Sequence, residues 1–402
     1  MDISTAQFLL SSCGREIVAA LEGGARNTLA AGTHLRKLFP DVPPAFLAAA
    51  VELAEARERG KGKFARAGEM FFTREALEQA TGEEAAKHRA ERFRGLGTVC
   101  DACCGIGGDT VALGAAAERI ICVDKDPARL LFCAENLRLH CIQAQVTEGD
   151  ILCLPEILKE CDALFIDPSR RKGGKRSLDP FSMEPPLDRV EELLAKVPGG
   201  GAKLPTSVRE EDLSIKHELE WVSTADGLKE AVVWTGNLRR CAVSVSLLHR
   251  NACLRNTELP REEAETGGAG EYLYEPDPAL IRSGLLGRKA AALGMKLLSR
   301  KIAYTMSESL IRDDFFRGYR VLSRMKFNLK RLSGELNALG IGQVTVKKRG
   351  FPLLPEEVIK KLKLRGSGHA IVILTRLGKG HEAFIVEPVN SYETHPLTPS
   401  LY

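Results

Sequence analysis

The chain has 402 residues, of which 44% are apolar and 27% charged, with a formal net charge of +4. That length suits two or three domains, and that balance is the one of a globular protein. No apolar run approaches the roughly 18–20 residues a membrane-spanning helix needs, so a membrane partner is not expected.

Residues 1–93 read as a helical region. Thr5–Leu21 and Pro43–Arg57 carry apolar residues at helical spacing, and Pro43-Pro44 suits a helix start. Thr81-Gly82-Glu83-Glu84 has the form of a capping box opening a helix through Phe93. From Thr98 short apolar runs alternate with helical segments: TVCDAC, RIICVD, AQVTEG and ALFID read as buried parallel strands. GGGAKLP, LKEAVVW and CAVSVSLL read as three more, the last two as antiparallel neighbours. The pattern predicts an α/β fold over 94–255, a seven-stranded doubly wound (Rossmann-like) sheet. Asn256–Gly270, NTELPREEAETGGAG, reads as a linker. Residues 271–320 read as a basic connecting region, with a ferredoxin-like fold as one reading. Residues 321–402 read as a small α+β domain: a helix over Leu329–Leu339, strand GQVTVKK, helix Pro355–Leu362, strands HAIVILTR and EAFIVEP. Between 281 and 350 there are sixteen Lys or Arg against four Asp or Glu, an excess that points to a polyanion such as RNA.

The chemistry concentrates in DACCGIGGD. A glycine-rich turn between a strand and a helix lets the backbone approach a ligand closely and presents N–H groups. Gly105 and Gly107 fit the first two positions of the dinucleotide-binding pattern, but the third falls on Thr110. Asp101, ending the strand, would repel a diphosphate and suits a cation, such as the amino and sulfonium groups of S-adenosylmethionine. Asp124 ends the second strand, where a carboxylate can accept both ribose hydroxyls, and Asp150 after the third can receive the adenine amine. Asp167 follows the fourth strand in ALFIDPSRRKGGKR. Ligands of such sheets bind at the carboxyl ends of the strands, where all four acids fall.

DACCGIGGD, VDKD, GD and DPSR together resemble the class I methyltransferases over roughly residues 70–250. Within them the chain is similar to a bacterial group with a C-terminal THUMP-like domain, which shares DPxRR and the stretch Glu271–Ala279, EYLYEPDPA; the THUMP-like resemblance covers about 320–390. The loop also resembles that of trimethylguanosine synthases. The resemblance implies S-adenosylmethionine as cofactor, with Cys103, Asp109, Lys125 and Ile151 joining Asp101, Gly105, Gly107, Asp124, Asp150 and Asp167 as its contacts. In trimethylguanosine synthases a helix ahead of the loop begins near a threonine and closes over the ligand. Thr81 occupies similar ground here and is carried over, although capping alone would account for it. The resemblance further implies amine methylation at Asp167, Pro168, Ser169 and Arg170, with RNA as substrate and a guanine exocyclic amine as one acceptor. The chain departs from D-P-P-[YFW], with Ser169 and Arg170 in place of the second proline and the aromatic. Base stacking then falls to Arg170 or to Phe71, Phe72, Phe181 or Trp234, each of which also reads as core. Arg170, Arg171, Lys172, Lys175 and Arg176 form a basic loop suited to phosphate.

Other chemistries lack their residues. No cysteine follows Asp167-Pro168 to act as a nucleophile. Cys100 and Cys103 form one CxxC with no second pair, and His88, His217 and His369 lack ligand spacing, so no metal is expected. Most of the eleven cysteines lie in apolar runs, as Cys122, Cys133, Cys153 and Cys241 do, and MDISTAQFLL has no export-signal pattern; both predict a cytoplasmic protein. Two rival readings are an RNA-binding protein that keeps the fold without turnover, and a methyltransferase acting on protein or a small molecule.

Overall fold

The structure, a computed structural model, describes residues 1–21, 34–169, 171–172, 175–177, 179–268 and 270–389. The chain forms two compact units, Met1–Leu219 with Glu230–Ala242, and Glu220–Lys229 with Val243–Tyr402.

The first unit opens on helices α1 (Ile3–Leu10), α2 (Ser12–Leu21), α3 (Pro44–Gly60), α4 (Arg74–Gln79) and α5 (Glu83–Ala90). The single helix expected over Thr5–Leu21 is broken at Ser11, which ends α1 in extended backbone and accepts the Gly14 N–H on its own hydroxyl. A Cβ at Gly14 would lie 2.1 Å from the Phe8 carbonyl oxygen, so the tight break requires glycine there. The expected capping box is also absent: Gly82 is the N-cap of α5, with no side-chain cap, and the Thr81 hydroxyl is used elsewhere.

The sheet is built from β1 (Thr98–Ala102), β2 (Arg119–Asp124), β3 (Ala144–Glu148), β4 (Ala163–Ile166), β7 (Gly199–Leu204), β8 (His217–Thr224) and β9 (Gly227–Gly236). Two short strands, β5 (Arg171–Lys172) and β6 (Lys175–Arg176), form a separate hairpin. The order is β8-β9-β7-β4-β1-β2-β3, parallel from β7 to β3, with β9 antiparallel to β7. Helices α6 (Thr110–Ala116), α7 (Pro127–Leu139) and α8 (Leu187–Leu194) complete the α/β alternation. Strands β1 and β4 are buried at every residue. AQVTE, expected as buried, is the edge strand β3, with no residue fully buried and Val146 exposed.

Sequence reasoning missed β8, HELEWVST, because Glu218 and Glu220 interrupt its apolar pattern. Both are buried: Glu218 receives Arg92, and Glu220 accepts a hydrogen bond from Ser246. Strand β8 therefore takes the place beside β9 that was expected for CAVSVSLL.

The N-terminal helices share one core with the glycine loop and α7: Phe71 and Phe72 pack in a cluster that includes Ile106 and Phe132. Asn136, fully buried on α7, donates to the carbonyls of Phe71 and Ile106 and accepts the Phe71 N–H. Three satisfied bonds from one buried amide fix the loop against the helices.

In the second unit, β10 (Val243–Leu247) and β11 (Ala252–Arg255) form a hairpin. The strand order runs on from β8 through β10 to β11, so the sheet has nine strands where seven were expected. A seven-stranded sheet follows, made of β12 (Tyr272–Pro276), β13 (Lys296–Ser299), β14 (Ile302–Ser307), β15 (Phe316–Lys326), β16 (Ile341–Arg349), β17 (Gly368–Leu377) and β18 (Gly380–Pro388). Its order, β13-β14-β12-β15-β18-β17-β16, joins the strands of 271–320 to those of 321–388 in one sheet. Helices α9 (Pro278–Arg282), α10 (Leu286–Ala292), α11 (Leu329–Ala338) and α12 (Pro355–Lys361) flank these strands in sequence, and α11 and α12 bury Leu332, Leu336 and Val358 in the core of the C-terminal strands. The stretch 256–270 is stitched down despite its linker composition: Arg288 donates to the carbonyls of Asn256, Leu259 and Pro260, and Thr266 bridges Leu297.

The basic excess of 281–350 is in large part internal. Lys289 pairs with Asp313, Arg320 with Glu387, Arg324 with Glu382, and Lys347 and Arg349 with Glu275. Arg282 lies over Trp221, and Arg288 serves backbone carbonyls. Glu275 belongs to EYLYEPDPA, and its carboxyl is held below the usual range by Lys347, its neighbours Tyr319 and Arg349 adding to this, against the effect of burial. The cations left without such partners are exposed ones such as Lys301, Arg317, Lys326, Lys330 and Arg331.

Candidate active site

Strand β1 delivers Asp101 to the carboxyl end of the sheet, and the chain then turns through three left-handed residues, Cys103 (φ 66°), Gly105 (φ 58°) and Gly107 (φ 86°). The two glycines do different work. A Cβ on Gly107 would stand 3.1 Å from the Cys133 sulfur, so this residue packs the loop onto α7. A Cβ on Gly105 would meet nothing within 4 Å, so the loop opens there onto free space.

The acids follow from register. Ala102 pairs with Val123 of β2 and with Ile166 of β4, which sets Asp101, Asp124 and Asp167 at adjacent strand ends. Asp124 Oδ2 accepts the Gly105 N–H at 2.8 Å and Oδ1 accepts the Asp126 N–H at 2.9 Å, so its buried carboxylate shapes the loop. Asp101 is buried and accepts the Thr110 hydroxyl at 2.6 Å. Thr110, which interrupts the glycine pattern, therefore has a defined task. Burial, followed by the nearby Asp109 charge, pushes the Asp101 carboxyl well above the ordinary carboxylate range.

Next to these lies a buried charge network. Arg89 of α5 is ion-paired to both Asp109 and Glu230. Burial acts to raise the Asp109 carboxyl, but Arg89 and Lys203 together hold it below its ordinary range. Lys203, at the carboxyl end of β7, donates to Asp167 Oδ2 at 2.6 Å and to the Thr81 hydroxyl at 2.9 Å. The register places them together, since Ile166 pairs with Ala202 and the next residues on the two strands are Asp167 and Lys203.

Thr81, Asp109 and Asp167 are thus brought together around Lys203, while Asp101, Gly105 and Asp124 form the loop side. Asp109 is committed to Arg89. Asp150 is exposed at the start of a turn, accepting the Leu152 N–H, and Ile151 beside it is buried. Lys125 is exposed and pairs with Glu184. The Cys103 thiol is pushed up, chiefly by burial. Pro168 is buried, and Ser169 exchanges backbone hydrogen bonds of 2.9 Å with Glu184 in both directions. Arg170 lies outside the described residues, and Arg171, Lys172, Lys175 and Arg176 form the β5–β6 hairpin. Phe71, Phe72 and Trp234 are buried and unable to stack on a ligand, whereas Phe181 is 55% exposed.

Sequence reasoning missed Lys203, Arg89 and Glu230. The signal for Lys203 was present: a lone charge near the carboxyl end of GGGAKLP, a strand otherwise small and apolar. Arg89 had none, since it sits among Lys87, His88 and Arg92.

Residues 96–177 match a family described as RNA cap guanine-N2 methyltransferase, and residues 316–388 one described as THUMP domain-like. Two Mycobacterium tuberculosis proteins, from strains CDC 1551 / Oshkosh and ATCC 25618 / H37Rv, are described as uncharacterized S-adenosylmethionine-dependent methyltransferases. Each is 31% identical to this chain over 346 residues, covering 82% of it and 93% of the relative. The chain belongs to the S-adenosylmethionine-dependent methyltransferases. The fold of this methyltransferase is shared by a crystal structure of a candidate methyltransferase from Porphyromonas gingivalis W83, with a TM-score of 0.74 at 21% identity, covering 92% of this chain and 98% of that one. The open face at Gly105 and the carboxylates of Asp101 and Asp124 fit a cationic nucleoside such as S-adenosylmethionine. No described helix is long and apolar enough to cross a membrane, and no group of three or more His, Cys, Asp or Glu among the described residues is arranged to hold a metal.

Proposed function

We propose that this methyltransferase methylates RNA on an exocyclic base amine, with guanine N2 as the leading acceptor. The observation that carries this reading is Asp167. Its Oδ2 is held by a buried lysine, which leaves Oδ1 to accept an N–H from an amine brought to the strand end. The match of residues 96–177 to guanine-N2 methyltransferases supports the choice of acceptor, and the THUMP-like match at 316–388 supports RNA.

In this reading Asp101 faces the cationic end of the cofactor, Asp124 the ribose and Asp150 the adenine. The cofactor supplies an electrophilic methyl group on a sulfonium. Asp167 accepts one N–H of the acceptor amine, which turns the nitrogen lone pair toward that methyl. Lys203 and Thr81 keep the carboxylate from rotating away. Catalysis of this kind is chiefly orientation, and Asp167 needs no unusual basicity to supply it.

Incubation with tritiated S-adenosylmethionine and total RNA, followed by nucleoside mass spectrometry, tests the proposal. Label in an N2-methylated guanosine is the expected result. Label that survives RNase would transfer the assignment to protein or a small molecule, and RNA binding without label would leave a binding protein.

Two binding predictions test the pocket. Asp124→Ala removes the acceptor that organises Gly105 and would meet the ribose. It should weaken S-adenosylmethionine binding at least about 100-fold by calorimetry, since two charge-assisted bonds and the loop geometry go together; unchanged affinity would refute the assignment. Asp101 binds a cation only when ionised, and its carboxyl is raised in the free protein. Affinity should therefore fall as pH falls, by up to about tenfold per unit below that raised value, with a proton released on binding. Calorimetry in two buffers of different ionisation enthalpy reads the proton directly, and buffer-independent heats would count against this role for Asp101.

A further inference from the structure

Phe181 is the only aromatic ring among the exposed large apolar side chains of the described residues. Its exposure comes from a built turn. Pro180–Ser182 forms a short 3-10 turn in which Asp179 accepts the Phe181 N–H at 3.0 Å, and the Ser182 hydroxyl bonds the Asp179 carbonyl and the Ser177 hydroxyl. Met183 then buries its side chain, and Glu184 closes onto Ser169 through two backbone hydrogen bonds.

The β5–β6 strand pair and the Pro180–Ser182 turn thus fall, in sequence, between Ser169 and Glu184, two residues bonded to each other at the Asp167-Pro168-Ser169 edge. Glu184 is three positions after Phe181, so the Phe181 Cα lies within about 11 Å of that anchor even if the chain were fully extended. Phe181 is therefore tethered to the strand edge that carries Asp167, the carboxylate proposed to orient the acceptor amine. The motif itself carries no aromatic, and the other rings considered for stacking are buried.

We propose that Phe181 is the stacking platform for the acceptor nucleobase, supplying from the returning turn the ring that the Asp167 motif lacks. The proposal rests on the RNA reading above. Base–aromatic stacking tolerates any base and is worth about 5- to 150-fold in affinity per base.

Phe181→Ala should raise the KM for total RNA by about 5- to 150-fold, with unchanged thermal stability and unchanged affinity for S-adenosylmethionine. Phe181→Trp should restore the KM, and its indole should be quenched by RNA. The native tryptophans, Trp221 and Trp234, are 3% and 0% exposed, so RNA cannot stack on them and their emission is a constant background to that signal. If the wild type methylates RNA while Phe181→Ala keeps its KM, or Phe181→Trp is not quenched, the stacking role is overturned and the RNA reading stands. If the wild type labels no RNA, both are overturned.

Discussion

Asp167→Asn should lower methyl transfer at least about 100-fold while leaving S-adenosylmethionine affinity within about threefold, because the lost property is orientation of the acceptor. The substitution keeps the side chain's shape but changes what it can offer. Lys203 has only donors, so the asparagine carbonyl must turn toward it, in the place of Oδ2. The amide nitrogen then faces the acceptor amine, donor against donor, where the carboxylate had accepted. Single-turnover transfer of tritium, paired with calorimetry, separates the two effects. Transfer within tenfold of the wild type would remove Asp167 from the reaction, and a parallel loss of cofactor affinity would make it a binding residue.

Arg89→Met should destabilise the first unit by about 3–5 kcal/mol, a fall in Tm of about 6–20 °C. Arg89 is 1% exposed and is paired to two carboxylates, Asp109 and Glu230, that are themselves buried. Removing the guanidinium strands both negative charges away from water, and neither has room to reach it. The pH dependence has a defined sign. Asp109 is held below its ordinary range in the folded protein, so its ion pairing stabilises at neutral pH and is lost as pH falls through that lowered value. In Arg89→Met that contribution is absent, so the variant should lose less stability on acidification than the wild type. Thermal melts between neutral and acid pH read this difference, and equal pH slopes would mean that the network is not coupled in this way.

Both predictions turn on side chains whose significance differs in visibility. Asp167 stood out because a carboxylate followed by proline closes an apolar strand beside a run of cations. Arg89 did not, because a helix with several cations is ordinary, and its partner Glu230 lies 141 positions away. The same divide runs through the fold. Buried strands with continuous apolar runs, such as β1, β2 and β4, were readable because burial on both faces leaves one pattern. Strand β8 escaped notice because its glutamates are buried with partners that only the folded chain supplies. The charge count over 281–350 hid the same kind of pairing: Arg320 and Arg324 answer Glu387 and Glu382 on the neighbouring strand β18, and Lys347 of β16 answers Glu275 of β12.

Local sequence was enough to determine the alternation of strands and helices, the glycine turn after β1 and the acids that close successive strands. These depend on residues close together in the chain, and on the rule that parallel strands end on one side. Tertiary structure decided the rest. It broke the first helix at Ser11, took Thr81 from a cap to Lys203, gave Asp109 to Arg89, set Lys203 against Asp167, and left Phe181 in the open. Each of these is a choice between partners that local sequence leaves equally available, and burial settles it, because a charge or hydroxyl away from water must take the partner that the packed elements bring within reach.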